Sequence, residues 1–321
     1  MDMALSNNFL TDTTGLKELL FKEVHFNANS EVLDSFIKSL DATDDTKETY
    51  LKGARKFINW CEENNITEVT KEDLIAYKTY ITQHNKPSSV SMYITSLKKL
   101  YKFLETKGIK NLASDLKGGK NSKGFKKDTL TVEQVKELLK SIDTSTLEGK
   151  RNYAMTYIFV TTGLRTIELE RANIEDIRTI GSQSVLYVQG KGHQEKDEFV
   201  KLTYEVLKAI NEYLLARGEK DIKQPLFISL SDRTKGNRLK TRSIRDIIKK
   251  EFRSIGIDSE KITTHSLRHT AITLSLIGGT PLQEVQQMAR HTNINTTLIY
   301  AHNLNRIESH AEDNIQKLLS D

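Results

Sequence analysis

Between residues 46 and 64 the chain reads TKETYLKGARKFINWCEEN, with apolar groups at Tyr50, Leu51, Ala54, Phe57, Ile58 and Cys61. Steps of three and four place those side chains on one face of a helix. TKEDLIAYKTYITQH repeats the pattern behind a Thr70 cap. SSVSMYITSLKKLYKFLETKG does so again through Val90, Ile94, Leu97, Tyr101 and Leu104, and stops at Gly108. With a weaker helix at 31–40, the pattern predicts a small helical domain over residues 30–107. Residues 108–127 are rich in Gly, Ser and Lys without sustained periodicity, and read as a linker.

A second domain, residues 128–321, opens at TVEQVKELLKSI, where Thr131 and Gln134 have the spacing of a capping box. Two helices meeting near Gly163 follow. SVLYVQGKGHQEKDEFVKL then changes period to a β-branched and aromatic run, a glycine-rich turn and a second alternating run, which predicts an antiparallel pair. Helices are predicted again at 203–217, 241–254, 266–277, 281–289, about 294–301 and 306–319. The expected fold class is mainly α with a small antiparallel β-sheet, in two domains behind an N-terminal extension of residues 1–29.

Composition removes several alternatives. No run approaches the roughly 18 apolar residues that a membrane span requires, and mean hydropathy is −0.50. The first twenty residues lack the basic, apolar and small-residue regions of an export signal. One cysteine, Cys61, cannot make an intrachain disulfide, which fits a cytoplasmic protein and excludes a multi-cysteine metal site. The net charge of +5 is unevenly spread. Residues 1–42 carry three Lys against seven acids, whereas Lys86 to Lys127 holds eleven Lys against Glu105 and Asp115. A basic strip beside helices is the electrostatic footprint of phosphate binding, though it also suits a solvated linker.

Several polar groups stand out against this background. Arg165 follows TTGL at a helix junction, and Lys191 lies between Gly190 and Gly192 at a predicted hairpin tip. Arg268 comes one helical turn after His265 in THSLRHTAIT, and His291 and Tyr300 stand nine residues apart. Each alone has an ordinary reading as a surface arginine, turn lysine, cap, core histidine or half-buried tyrosine. Together, TGLRTIEL, GKG on a hairpin, HSLRH, the later histidine and the tyrosine resemble the tyrosine recombinases, or phage integrase family. The resemblance covers about 128–301, and the preceding helices are similar to that family's SAM-like core-binding domain.

The residue types suit the chemistry that the resemblance implies. Cutting a DNA strand without water needs a nucleophile, charge stabilisation for a pentavalent phosphate and a proton for the departing sugar oxygen. Tyr300 would be the nucleophile; its phenol, with an ordinary pKa of about 10, needs neighbours that take its proton. Arg165 and Arg268 offer planar, permanently charged forks to the non-bridging oxygens. By resemblance Lys191 is the general acid for the 5′ oxygen, His265 acts in acid–base transfer near the tyrosine, and His291 hydrogen-bonds the scissile phosphate. Glu168 would orient a histidine or arginine, and His269 would have a structural task. Ala289 and Arg290 replace the family's usual Leu-Gly, leaving local packing open or adding a phosphate contact.

The resemblance further implies double-stranded DNA core sites as partners and a homotetramer on synapsed DNA with the C-terminal helix exchanged between subunits. An accessory DNA-bending or directionality factor is a further expected partner, and no metal or other cofactor is expected. Lys98, Lys99, Arg242 and Arg245 are the leading candidates for DNA contacts. The biological role expected is integration or excision of a mobile element. Chromosome or plasmid dimer resolution is the alternative, and a type IB topoisomerase, a non-cutting regulator and a metal-dependent nuclease remain rival classes. A metal site from His265, His269 and His291 lacks an acidic partner at familiar ligand spacing.

Overall fold

The computed structural model describes residues 31–66, 68–119, 128–190, 195–219, 221–308 and 311–320. In the last two helices it describes side chains only at 295–302, 304 and 313–319. The expected extension 1–29 lies outside these residues. Contacts divide the chain into two compact units, Met1–Lys123 and Gly124–Asp321.

The described part of the first unit is built on α1 (Glu31–Lys38), α2 (Asp44–Glu63), α3 (Lys71–His84) and α4 (Pro87–Glu105). Thr70 and Asp73 form a reciprocal capping box at the start of α3, and Pro87 opens α4 at a position where its missing N–H costs nothing. The periodic apolar groups meet in the interior, where Phe57, Cys61, Leu74, Tyr77, Ile81, Ile94 and Leu97 are buried together. Phe57, Leu74, Ile81, Ile94 and Leu97 each contribute about 1.5–3 kcal/mol on leaving water. Helices α2 and α4 cross closely at Gly53, where a Cβ would lie 2.3 Å from Ser96 Oγ.

The expected linker is partly folded. Ala113 and Leu116 are buried in the same core, with Leu112 packed against it, and Ser91 Oγ donates to the Gly119 carbonyl at 2.9 Å. The many Lys and Gly residues hide a short apolar series, Ile109, Leu112, Ala113 and Leu116, that closes the helical core. Residues 120–127 lie outside the described set.

The second unit carries α5 (Val132–Ser141), α6 (Leu147–Thr162), the short α7 (Thr166–Arg171), a sheet, then α8 (Tyr204–Arg217), α9 (Thr241–Ser254), α10 (Thr264–Ile277), α11 (Leu282–Ala289), α12 (Asn295–Glu308) and α13 (Ala311–Ser320). Met155, Ile158 and Phe159 of α6 pack with Ile210 and Tyr213 of α8, Ile248 and Phe252 of α9, and Leu267 of α10. The sheet has three antiparallel strands in order β1 (Ile177–Ile180), β2 (Gln183–Val188), β3 (Glu198–Lys201), one more than the expected pair. The extra strand, IRTI, is only four residues long and mostly exposed, so periodicity could not mark it. It pairs through a two-residue turn opened by Gly181 at φ 61°, with Ile180 opposite Gln183.

Helix α12 runs beyond the expected 294–301, so residues 306–308 belong to it rather than to the start of a terminal helix. The last helix begins at Ala311 and leaves Ile315, Leu318 and Leu319 exposed. Among the described residues no helix is long and apolar enough to cross a membrane.

Candidate active site

Helix α6 ends at Gly163, whose left-handed backbone (φ 62°) turns the chain sharply into α7. That turn puts Arg165 at the N-cap of α7, where the Glu168 carboxylate accepts from the Arg165 main-chain N–H at 2.8 Å and from its Nη1 at 2.7 Å. Arg165 Nη2 donates to the Arg290 carbonyl at 3.2 Å, yet the side chain stays 30% exposed. A guanidinium has five N–H groups, so this fork is fixed in direction while keeping donors for a ligand.

Arg268 comes from α10 and is only 3% exposed. Its Nη1 donates to the Gly163 carbonyl and its Nη2 to the Ala289 carbonyl. Burial and the nearby charges of Arg165 and Arg290 depress its pKa to about 9, so it remains cationic at neutral pH. Two arginines thus converge on the junction between α6 and α7, held by oxygens from distant parts of the chain.

Tyr300 lies on α12 and is 4% exposed, its ring packed with Ile272, Val285 and Ala289. Its hydroxyl shares a hydrogen bond with Nδ1 of His269. Burial pushes the phenol up to about 12, against the opposing pull of the Arg268 charge. Burial, followed by His265 and Arg268, pushes His269 down to about 4. Around neutral pH the pair is therefore a neutral phenol beside a neutral imidazole, and with the proton on His269 Nε2 the phenol donates to Nδ1. His265 is exposed at the start of α10 and meets His269 edge-on, with ring centroids 4.6 Å apart.

His291 follows α11. Its Nδ1 shares a 2.9 Å hydrogen bond with the buried Thr297 hydroxyl, and its ring stacks 6.4 Å from that of Tyr300. Burial, then Arg268, Arg165 and Arg290, lower its pKa to about 4. Arg290, next to it, adopts the left-handed conformation at φ 53° that a glycine would take more easily, at a cost of roughly 1–2 kcal/mol. Its side chain is turned inward, with Nη2 donating to Glu168 Oε2 at 2.7 Å and Nη1 to the Met288 carbonyl at 2.9 Å. The local packing that the sequence left open at Arg290 is thus an ordered set of hydrogen bonds.

Arg165, Arg268, His291 and Tyr300 are therefore brought together, with Glu168 completely buried beneath Arg165. Lys191 and Gly192 lie outside the described residues; the strands leading to them end at Val188 and resume at Glu198. The exposed Arg242 and Arg245 lie on α9, and on α4 Lys99 is exposed and Lys98 half-buried. His269, expected to have a structural task, makes a direct hydrogen bond with the tyrosine hydroxyl. The only sequence signal for that was the spacing of His269 from His265, four residues along one helix face, which orients the pair but names no partner.

A buried phenol beside two fixed guanidiniums and neutral imidazoles is suited to covalent attack on a phosphodiester. Residues 128–306 match the profile of the phage integrase family, and residues 31–111 match that of the phage integrase N-terminal SAM-like domain. The chain belongs to the phage integrase family, the tyrosine recombinases.

It is 32% identical over 243 residues to the tyrosine recombinase XerC of Caldanaerobacter subterraneus subsp. tengcongensis, a match covering 74% of this chain and 66% of that relative, just under two thirds. It is 29% identical over 279 residues to the TnP I resolvase of Bacillus thuringiensis, covering 83% and 92%. The XerD recombinase of Listeria monocytogenes serovar 1/2a is 30% identical over 72% of this chain and 77% of its own. Among solved structures, the XerH recombinase bound to palindromic difH substrate superposes with a TM-score of 0.70 at 22% identity, covering 96% of this chain and 92% of that one. A lambda integrase dimer bound to a COC′ core site gives 0.64 at 14% identity, covering 84% and 94%. At these identities the structural likeness establishes a shared fold.

Proposed function

We propose that this chain is a site-specific recombinase that cuts and rejoins double-stranded DNA through Tyr300, in the cytoplasm and without a metal or nucleotide cofactor. The observation that carries the reading is the Tyr300 hydroxyl, bonded to His269 in a site to which Arg165 and Arg268 bring fixed positive charge. In the first step the Tyr300 oxygen bonds to phosphorus, the P–O5′ bond breaks, and the phenolic proton passes to His269. Lys191 supplies the proton to the 5′ oxygen. The products are a 3′-phosphotyrosyl ester and a free 5′ hydroxyl, which then attacks the partner strand's phosphotyrosine, so that exchange passes through a Holliday junction.

The resting electrostatics suit such a step. With Tyr300 raised to about 12 and His269 lowered to about 4, the proton stays on the phenol while no substrate is bound. A phosphate diester brings a negative charge beside Arg165 and Arg268, offsets the repulsion of His269 by Arg268 and of His291 by both, and so raises both imidazoles toward proton acceptance. His291 then bonds a phosphate oxygen, and His265, at the exposed edge of the pair, is the second acid–base group. Lys98, Lys99, Arg242 and Arg245 contact the DNA backbone or grooves.

The exposed Ile315, Leu318 and Leu319 support docking of the last helix on a neighbouring subunit within a tetramer on synapsed core sites. The biological role is integration or excision of a mobile element, with chromosome or plasmid dimer resolution as the alternative, and one relative bears the name of a resolvase.

The test is covalent trapping. Nicked suicide duplexes cut from DNA flanking the gene are incubated in EDTA with wild type and Tyr300→Phe, then resolved in denaturing detergent. A wild-type adduct on a subset of duplexes, absent with Tyr300→Phe, is the expected result. Binding without an adduct on any duplex overturns it. Relaxation of supercoils without a defined site would make the chain a topoisomerase instead.

A further inference from the structure

The turn at Ala289 and Arg290 aims two successive carbonyls at the two arginines. The Ala289 oxygen accepts from Arg268 Nη2 and the Arg290 oxygen from Arg165 Nη2. These are end carbonyls of α11, and their partial negative charge favours cations. The left-handed backbone at Arg290 makes this aim possible, with the Arg290 N–H bonded to the Gln287 carbonyl at 2.9 Å and the His291 N–H to that of Gln286 at 3.1 Å. A glycine would make the same turn with less strain. The arginine side chain therefore has to be explained by what it reaches.

It reaches two carboxylates on different elements. Nη2 donates to Glu168 Oε2 at 2.7 Å, and Nε stands 3.8 Å from Glu198 Oε2 on strand β3. Glu168 is thereby divided between two guanidiniums, Oε1 on Arg165 and Oε2 on Arg290 and the Arg165 main chain. Glu198 opens strand β3.

We propose that Arg290 is a positioning residue for strand cleavage, which holds Glu168 in the orientation that presents Arg165 to phosphate and ties the start of strand β3 to the same point through Glu198. This rests on the recombinase reading above. The charged groups facing Glu168 are Arg165 at its own helix start, Arg290 after α11 and Arg268 from α10. Burial raises the Glu168 carboxyl, but Arg290, then the Arg165 hydrogen bonds and charge, outweigh it and leave the pKa below its ordinary value. Glu168 is thus ionised when the site is at work.

The experiment compares wild type, Arg290→Gly, Arg290→Lys and Glu198→Gln on the trapping duplex, with DNA affinity and single-turnover cleavage measured from pH 5 to 9. Arg290→Gly relieves the backbone strain and removes only the side chain. The expected result is DNA affinity within about twofold of wild type, cleavage slowed roughly tenfold or more, and an acid limb displaced to higher pH. The displacement has this sign because losing Arg290 lets both Glu168 and His291 hold protons at higher pH. Arg290→Lys should recover part of the rate, and Glu198→Gln should slow cleavage without moving the acid limb as far. Wild-type rate and pH profile in Arg290→Gly would overturn the proposal, as would a slow variant with an unmoved profile that Lys fails to rescue. Failure of wild type itself to form an adduct would remove the recombinase reading, a separate result from wild type and Arg290→Gly cutting alike.

Discussion

The Tyr300 hydroxyl is hydrogen-bonded to His269 Nδ1, thirty-one residues away in sequence and on a different helix. With the phenol raised and the imidazole lowered by burial, both groups are uncharged near neutral pH, and the proposed attack by Tyr300 requires the phenol to donate to His269. His269→Ala should slow covalent adduct formation by roughly 10²–10⁴, the usual contribution of a general base, with DNA binding retained. Gel-resolved adduct kinetics against His265→Ala distinguish the two histidines. A His269→Ala enzyme that cuts at the wild-type rate would move the proton acceptor elsewhere.

Both His269 and His291 have folded pKa values near 4, below the ordinary 6.5. Between those limits the unfolded chain binds more protons, so folding stability contributed by the neutral imidazoles is present above about pH 6.5 and lost as pH falls toward 4. The melting temperature of the catalytic unit should therefore drop through that window. In His291→Gln the drop should be shallower, as followed by thermal melts at closely spaced pH.

If Lys191 protonates the 5′ oxygen, its loss should matter only when the leaving group needs a proton. Lys191→Ala should cut an ordinary duplex at least about a hundredfold more slowly. A duplex with sulfur at the bridging 5′ position should be cut at nearly the wild-type rate, because a thiolate leaves without protonation. Equal defects on both duplexes would assign the lysine to binding.

The crossing of α2 and α4 at Gly53 leaves no room for a methyl group beside Ser96. Gly53→Ala should destabilise the helical unit by about 1–3 kcal/mol, and Gly53→Ala with Ser96→Gly should recover part of it, because the Ser96 Cβ would itself lie 2.4 Å from the new methyl. Trp60, the single tryptophan, is buried in that unit, so urea unfolding followed by its fluorescence reads this domain.

Removal of residues 306–321 takes away the exposed Ile315, Leu318 and Leu319. The truncated protein should bind a single core site as wild type does and fail to assemble cooperatively on paired sites. Native gels and light scattering on synapsed duplexes would show it, and intact synapsis would refute docking of the last helix on a neighbour.

Much of the helical framework was legible because amphipathic helices repeat their apolar groups at a period that burial imposes. The helices around Phe57, Tyr101 and Ile248 fall where that period places them. Strand β1 escaped because four mostly exposed residues carry too few apolar positions to define any period. The packing of Ala113 and Leu116 escaped because lysines and glycines dilute the signal around them. At the candidate site, Arg165, Arg268, His291 and Tyr300 stood out in the sequence through the order of their motifs, which resembles that of the tyrosine recombinases, since each residue alone has an ordinary reading.

The sequence by itself determined the residue types available for the reaction, the mainly helical class and the order of the motifs, because local periodicity and side-chain chemistry are properties of short stretches. Only the tertiary structure decided which histidine meets the tyrosine, and that Arg290 points inward to Glu168 rather than out to a ligand. Those outcomes depend on where α10, α11 and α12 pack. A hydrogen bond between residues far apart in sequence exists only after burial has brought the helices together and removed the water that would otherwise satisfy each group.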